Sequence, residues 1–269
     1  MNQQMEKKNK DFIFWYKYQL TKAQKIFFFV FLVNLATALF IVQEIIAAML
    51  RNAASVNDIT KFEDVYRTFD KFTNQSNFIL LVFSFFYVFL PHHSFLKKDK
   101  FLVASIVYIL FTFIGYNVIL QFGKLGYKHI LDKVKLARGL MAHLFNPLFF
   151  IIVGFLAFVY SPARTIGKFH TYFLTGTIYP LIYGIYVITV PFVYKTTDGS
   201  IYSVYGGITN VRENPKIAWA AIICLLFGYF PLSYFIIWIS YVKISKKYID
   251  YPADLRKRSI KFIKFDIGK

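Results

Sequence analysis

The sequence is short of the residues from which soluble enzymes and secreted domains are usually built. Its 269 residues include one cysteine and 14 acidic side chains, and only 17% of the chain is charged. One cysteine excludes an internal disulfide and a cysteine-based metal site. A soluble domain carries about 25% charged residues, so this deficit argues against an ordinary soluble surface.

Familiar catalytic signatures are also missing. The chain has no GxSxG, HExxH, P-loop or GxGxxG pattern, so the common soluble hydrolase, metalloprotease and nucleotide-binding mechanisms lack support. We therefore expect no cofactor and no metal. No Gly/Ser-rich linker and no internal repeat divides the chain, which indicates one bundle domain.

Long apolar runs are what the sequence has instead. Hydrophobic residues make up 57% of the chain, and its mean hydropathy is +0.47. A membrane-spanning helix needs about 20 mostly apolar residues. Six windows qualify, and five of them contain no Asp, Glu, Lys or Arg: Ile26–Leu50 (which holds Glu44), Phe72–Leu96, Phe101–Gly123, Gly139–Ala163, Phe169–Tyr194 and Ile217–Val242. The sequence thus predicts an all-α, polytopic transmembrane helical bundle of about six spans.

The basic residues lie outside these windows. The net charge of +18 would suit nucleic acid, but the 32 Lys and Arg fall in loops and tails, so we expect membrane lipids and no nucleic acid as partners. Twenty of them lie on the side of both termini, which predicts cytoplasmic termini in the cell (plasma) membrane. The loop 124–138, with five basic residues, opposes that orientation. The expected division is a tail (1–25), a six-helix domain (26–242) and a basic tail (243–269). The sequence leaves the oligomeric state open.

Polar residues gather at one end of the predicted bundle. Alternating spans place the end of the first, the start of the second, the end of the third and the start of the fourth together, whichever side faces out. Those positions hold Glu44; Thr73, Asn74, Ser76 and Asn77; Asn117 and Gln121; His143 and Asn146. The loop after the fifth span adds Tyr202 and Tyr205. Polar groups are costly in hydrocarbon, so this convergence predicts the functional site.

These residue types permit acyl-transfer chemistry. A threonine hydroxyl, Thr73, needs a base to take its proton, and a neutral imidazole such as His143 is the usual one. Amides of Asn77 and Asn74 would hold an oxyanion, and Glu44 would orient the histidine. Plainer alternatives stay open: Thr73 as a helix cap, His143 as an interfacial residue, Asn77 and Asn146 as interhelical hydrogen bonds, and Glu44 paired with the second span.

The order of these motifs resembles a known family. Residues 72–77, FTNQSN, resemble the Phe-Thr-x-x-Ser-Asn that opens a span in bacterial six-span membrane proteins; these are distantly similar to the androgen-induced family of integral membrane hydrolases. Residues 143–147 (HLFNP) resemble its His-x-x-x-Pro, 179–183 (YPLIY) its Tyr-Pro-x-x-Tyr, and 202–205 (YSVY) its aromatic loop. The loop departs from the family in having Tyr205-Gly206 where Tyr-Pro is usual. The chain is also similar to mollicute multi-pass proteins of unknown function.

That resemblance implies a reaction. Animal members of the androgen-induced family cleave fatty-acid esters of hydroxy fatty acids with a threonine nucleophile, so Thr73 would be the nucleophile and His143 the base. An acyl-ester substrate among the Phe-rich helices is the first functional hypothesis. The alternatives are a small-solute transporter, with Glu44 and the amides as ligands, and a non-catalytic lipid- or partner-binding membrane protein.

Overall fold

The part of the chain that the structure describes consists mainly of six long helices. The computed structural model describes residues 12–53, 63–91, 93, 99–120, 130, 132–196 and 198–249. In these ranges six helices are long and apolar enough to cross a membrane, so the all-α multi-pass bundle is confirmed. They are α1, Lys22–Ala53; α2, Phe72–Phe89; α3, Asp99–Ile114 with a π-helical end, Gly115–Leu120; α4, Lys133–Leu140, π-helical Met141–Phe145 and Asn146–Tyr160; α5, Phe169–Val193; and α6, Pro215–Ile223, π-helical Cys224–Tyr229 and Phe230–Tyr248.

The helix ends differ from the apolar windows by a few residues, and the start of α4 and the end of α2 are two examples. α4 begins at Lys133, six residues before the predicted window, because Asp132 caps it by accepting the amides of Val134 and Lys135. α2 ends at Phe89, whereas the predicted window continued to Leu96; of the residues between them, 92 and 94–96 lie outside the described part. The orientation of the termini and the division into domains stay predictions.

Proline explains the π-helical turns of α4 and α6. Each turn ends two residues before a proline, Pro147 in α4 and Pro231 in α6. Proline has no amide hydrogen, and its ring collides with the carbonyl four residues earlier. A π turn adds one residue and relieves that collision. Such prolines are tolerated in membrane helices when groups on neighbouring helices donate hydrogen bonds to the carbonyls that the proline leaves unpaired.

Aromatic side chains fill the core. Phe27 of α1, Phe83 of α2 and Phe150 of α4 are each fully buried. Their rings meet edge to face, with centroids 5.6 to 6.1 Å apart. Each such pair contributes about 0.5–1.5 kcal/mol beyond the burial of its surface. The abundance of phenylalanine thus has a packing role in addition to simple hydrophobicity.

The short helical segment Phe12–Gln19 packs beside the end of the bundle at which α2 ends. Trp15 stacks on Phe89 at the end of α2, with ring centroids 5.6 Å apart, while Phe12 stays 56% exposed. Exposed aromatic side chains are typical of helices that lie at a membrane interface.

A compact loop closes the end of the bundle at which α2 and α4 begin, which we call the polar end. An isolated β-bridge joins Lys195 and Ile201. Gly199 makes the turn between them with φ of +80°, a conformation that favours glycine. The chain then returns over the helices, which brings Tyr202 and Tyr205 against the start of α2.

Candidate functional site at the polar end

A buried amide network joins α2 and α4. Asn77 is fully buried and donates from Nδ2 to the carbonyl oxygens of Thr73 (2.8 Å) and Ala142 (3.2 Å). Asn146 donates from its own Nδ2 to Asn77 Oδ1 at 2.6 Å. Two of the predicted supporting residues are therefore in direct contact.

Pro147 explains why the Ala142 carbonyl needs a partner from another helix. The amide of Asn146 donates to Met141, five residues back in the π turn. The next residue, Pro147, has no amide hydrogen to offer Ala142. Asn77 supplies the missing donor from α2, so the network replaces a bond that the helix itself cannot make.

His143 is held in the same way. Its carbonyl oxygen, four residues before Pro147, accepts from Nδ2 of Asn117 on α3 at 2.6 Å. Its imidazole stacks on the ring of Tyr116, with centroids 3.6 Å apart and planes 12° apart. Nδ1 is buried, and no described residue hydrogen-bonds to it. Buried polar atoms without a partner are rare and call for an explanation, such as a catalytic role or a bound molecule.

An apolar cavity of about 290 Å³ lies beside these residues. Its walls come from the start of α2, the middle of α3, α5 and α6, and the loop before α6. They include Phe72, Thr73, Phe111, Thr112, Gly115, Tyr116, Pro180, Tyr183, Gly184, Val187, Tyr205, Ile208, Thr209, Ala221, Ile222, Cys224, Leu225, Leu226 and Phe230. Thr73 therefore lines the same cavity as Tyr116, the residue on whose ring His143 stacks. No hydrogen bond joins Thr73 to His143 among the described residues.

The cavity reaches the lipid-facing surface at α6. Cys224 lines the cavity and is exposed. The neighbouring Ile223 and Phe227 are 51% and 76% exposed, so the protein surface around this point is apolar. At the polar end the loop residues Tyr205 and Ile208 cover the cavity. The opening at Cys224 therefore lies on an apolar part of the surface of α6.

A carboxylate outside the predicted spans forms a second cluster at the polar end. Asp70 is 4% exposed, and its Oδ2 accepts from the hydroxyls of Tyr202 (2.5 Å) and Tyr186 (3.1 Å). Its backbone carbonyl accepts from Tyr183, whose hydroxyl also accepts the amide of Phe72. The tyrosines thus tie α5 and the loop to the start of α2.

Asp70 gives the protein a pH-dependent contribution to stability. Burial raises the pKa of Asp70, against the opposing hydrogen bonds from Tyr202 and Tyr186 and the charges of Lys71 and Arg67. A carboxyl group with a raised folded-state pKa adds stability that is fully present below its unfolded pKa and is lost as the pH rises through the folded pKa.

Replacement of Asp70 by asparagine should remove this pH dependence. As the pH falls from 7 toward 4, we expect the melting temperature of the wild type to rise relative to that of Asp70→Asn, because only the wild type takes up the extra proton on folding. Tryptophan-fluorescence melts of both proteins in detergent test this. Parallel melting temperatures over that range would contradict the assignment.

The other predicted site residues have separate partners. Glu44 Oε2 lies 2.9 Å from Nη1 of Arg138, so it pairs with the second turn of α4 and not with α2. Asn74 donates to the carbonyl of Thr68 at 2.5 Å, and Tyr202 binds Asp70. None of these bonds reaches Thr73 or His143. The roles assigned to these residues stay predictions.

Two features were not visible in the sequence. Asp70 was outside the windows, and the only signal for it is the helical spacing of Tyr183 and Tyr186, which both bond to it. The cavity produces no recognisable pattern in the sequence, because the apolar residues that line it are the same types that make up every membrane span. In the described ranges no three His, Cys, Asp or Glu side chains are grouped so as to hold a metal ion.

Comparison with known proteins places the chain among mycoplasma proteins. It is 36% identical to "Uncharacterized protein MG452" of Mycoplasma genitalium over 90% of this chain and 88% of that one. It is 34% identical to "Uncharacterized protein MG452 homolog" of Mycoplasma pneumoniae over 90% and 94%. It is also 29% identical to "Uncharacterized protein MG133" of M. genitalium over 66% and 75%. No solved structure matches the chain.

Residues 136–247 match a family described as "Protein of unknown function (DUF1600)". The matched region begins in the first turns of α4 and ends in the last turn of α6, so it holds His143, the tyrosines of α5 and most of the cavity wall. Together with the relatives, which extend over nine-tenths of the chain, this match confirms the expected similarity to mollicute multi-pass proteins. The chain is a multi-pass integral membrane protein that belongs to the same family as the two mycoplasma MG452 proteins, and its residues 136–247 match DUF1600.

Proposed function

We propose that the protein binds the acyl chain of a membrane lipid in the cavity between α3, α5 and α6. The observation that carries this proposal is the cavity itself, about 290 Å³ of space with mainly apolar walls inside a membrane-spanning bundle. Ligand sites are commonly apolar clefts with a few polar groups at defined points. Here the polar groups of the wall, among them Thr73 and Tyr205, lie at one end of the cavity.

The position of the opening supports a lipid over a water-borne solute. A chain that enters at Cys224 would come from the hydrocarbon, because the exposed neighbours of Cys224 are apolar. Glu44, which a transporter would use as a solute ligand, already pairs with Arg138. These two observations favour lipid binding over solute transport.

A bulky residue in the cavity wall should prevent binding. Ala221 lines the cavity, whereas its neighbour Ala220 is exposed to the surroundings of α6. We expect Ala221→Phe to weaken binding of a fluorescent fatty-acyl probe to the purified protein at least tenfold, a change of about 1.4 kcal/mol, because the ring occupies the space of the chain.

Ala220→Phe is the matched control, since it adds the same ring one residue away on the outer face. Equal affinities of the two variants would place the probe outside the cavity. The single cysteine of the chain gives a second measurement: a bound probe should slow alkylation of Cys224 in the wild type.

Hydrolysis of a lipid ester is a second candidate function, held by the same site. It is favoured by the position of Thr73 on the cavity wall and by the buried Nδ1 of His143, which has no partner among the described residues. Catalytic hydrogen bonds are often long before substrate binds, so the missing Thr73–His143 bond is compatible with it. The resemblance to the androgen-induced hydrolases points to the same two residues.

An activity probe for serine and threonine hydrolases tests the second candidate. We expect labelling of the wild type and none of Thr73→Val or His143→Ala, because a threonine hydroxyl reacts only when a base removes its proton. Thr112→Val is the control, since Thr112 lines the same cavity. Labelling that survives Thr73→Val, or an unlabelled but folded wild type, would remove the catalytic proposal and leave lipid binding standing.

A further inference from the structure

The π turn of α6 leaves the carbonyl of Leu226 without a donor from its own helix. The amide of Phe230 donates to the carbonyl of Leu225. The next residue, Pro231, has no amide hydrogen. Neither the fourth nor the fifth residue after Leu226 can therefore donate to the Leu226 carbonyl, and no described side chain does so.

The corresponding carbonyls of two other helices each accept a hydrogen bond from a side chain of a neighbouring helix. In α4, Ala142 occupies the same position before Pro147 and accepts from Asn77 at 3.2 Å. In α5, the carbonyl of Gly176, four residues before Pro180, accepts from the Tyr108 hydroxyl at 2.5 Å. Of these three carbonyls, Leu226 O is the one that accepts no hydrogen bond from the described residues of a neighbouring helix.

The Leu226 carbonyl belongs to a residue of the cavity wall. Leu226 and Phe230 both line the cavity, and residues four apart lie on one helix face. A helical carbonyl points toward the residue four positions on, so Leu226 O points along the cavity wall toward Phe230. An unpaired carbonyl in membrane surroundings costs free energy of the order of several kcal/mol.

We infer that the ligand of the cavity carries a hydrogen-bond donor, a hydroxyl or an amide N–H, that pairs with Leu226 O. This inference rests on the proposed function and narrows it to one chemical class: a long-chain lipid with a donor group, such as a fatty alcohol, a hydroxy-acyl chain or an N-acyl amide. Simple esters and hydrocarbons have no donor and leave the carbonyl unpaired. The donor binds on α6, across the cavity from Thr73.

A matched pair of ligands tests the inference on the full-length protein. A long-chain alcohol and its methyl ether have the same chain, but only the alcohol can donate. We expect the alcohol to bind the wild type in detergent about fivefold more tightly, the effect of one hydrogen bond. Equal binding of alcohol and ether overturns the inference while the proposed function survives; binding of neither ligand overturns both.

Pro231→Ala locates the donor. Alanine restores the amide hydrogen that Leu226 O lacks and leaves the side chains that line the cavity unchanged. We expect the preference for the alcohol to fall to about equal binding, through weaker alcohol binding with ether binding unchanged. A preference that persists in Pro231→Ala overturns the assignment to Leu226. If this variant does not fold, the comparison in the wild type decides.

Discussion

A single added methyl group at Gly176 is expected to destabilise the protein by about 3 kcal/mol, at the upper end of overpacking effects. A Cβ at this position would lie 2.1 Å from the hydroxyl oxygen of Tyr234 and 2.5 Å from its Cζ. Tyr234 is fully buried, so its ring cannot move aside without disturbing the core. Separation of α5 from its neighbours would also weaken the Tyr108 hydrogen bond to the Gly176 carbonyl.

The same substitution at Gly184, two turns later on α5, is the control. There a Cβ would make ordinary contacts of 3.5 and 3.8 Å with Leu226. Alanine is the better helix former by about 1 kcal/mol, so Gly184→Ala should be neutral or stabilising. Melting temperatures in detergent measure both variants. A Gly176→Ala protein that melts with the wild type would show that α5 does not pack against Tyr234 as described.

Asn77→Asp is expected to have the second large effect, a loss of at least about 3 kcal/mol, as for other uncompensated buried charges. The carboxylate loses both donors of the amide, leaves the carbonyls of Thr73 and Ala142 unpaired and places a charge at a fully buried position. Asn77→Leu keeps a similar volume without the charge and should cost about 1–2 kcal/mol for the lost hydrogen bonds.

The ranking of these variants by thermal stability tests whether the amide network holds α2 to α4. Thermal denaturation at pH 7 should rank the wild type above Asn77→Leu and Asn77→Leu above Asn77→Asp. Asn214→Asp is the matched control, because Asn214 is exposed at the N-cap position of α6, where its side chain makes no capping hydrogen bond and aspartate is as favourable as asparagine. If Asn77→Asp proves as stable as Asn77→Leu, the amide network does not hold α2 to α4.

Some site geometry followed from the sequence through elementary rules. Helix count and alternation placed Asn77 and Asn146 at the same end, and the structure shows them 2.6 Å apart. Glu44 was expected to have a partner, as lone carboxylates in spans usually do. Its partner, Arg138, was missed because the start of α4 was predicted six residues too late, which left Arg138 in a loop.

What the sequence by itself determined is the set of spans and the end at which polar groups meet, because hydrocarbon excludes charge and unpaired backbone from any segment about 20 residues long. Only the tertiary structure decided which carbonyls the prolines leave free and which side chains reach them. The donors, Asn77, Asn117 and Tyr108, come from other helices and are distant in sequence. The cavity likewise exists only between packed helices, where the Leu226 carbonyl still lacks a donor.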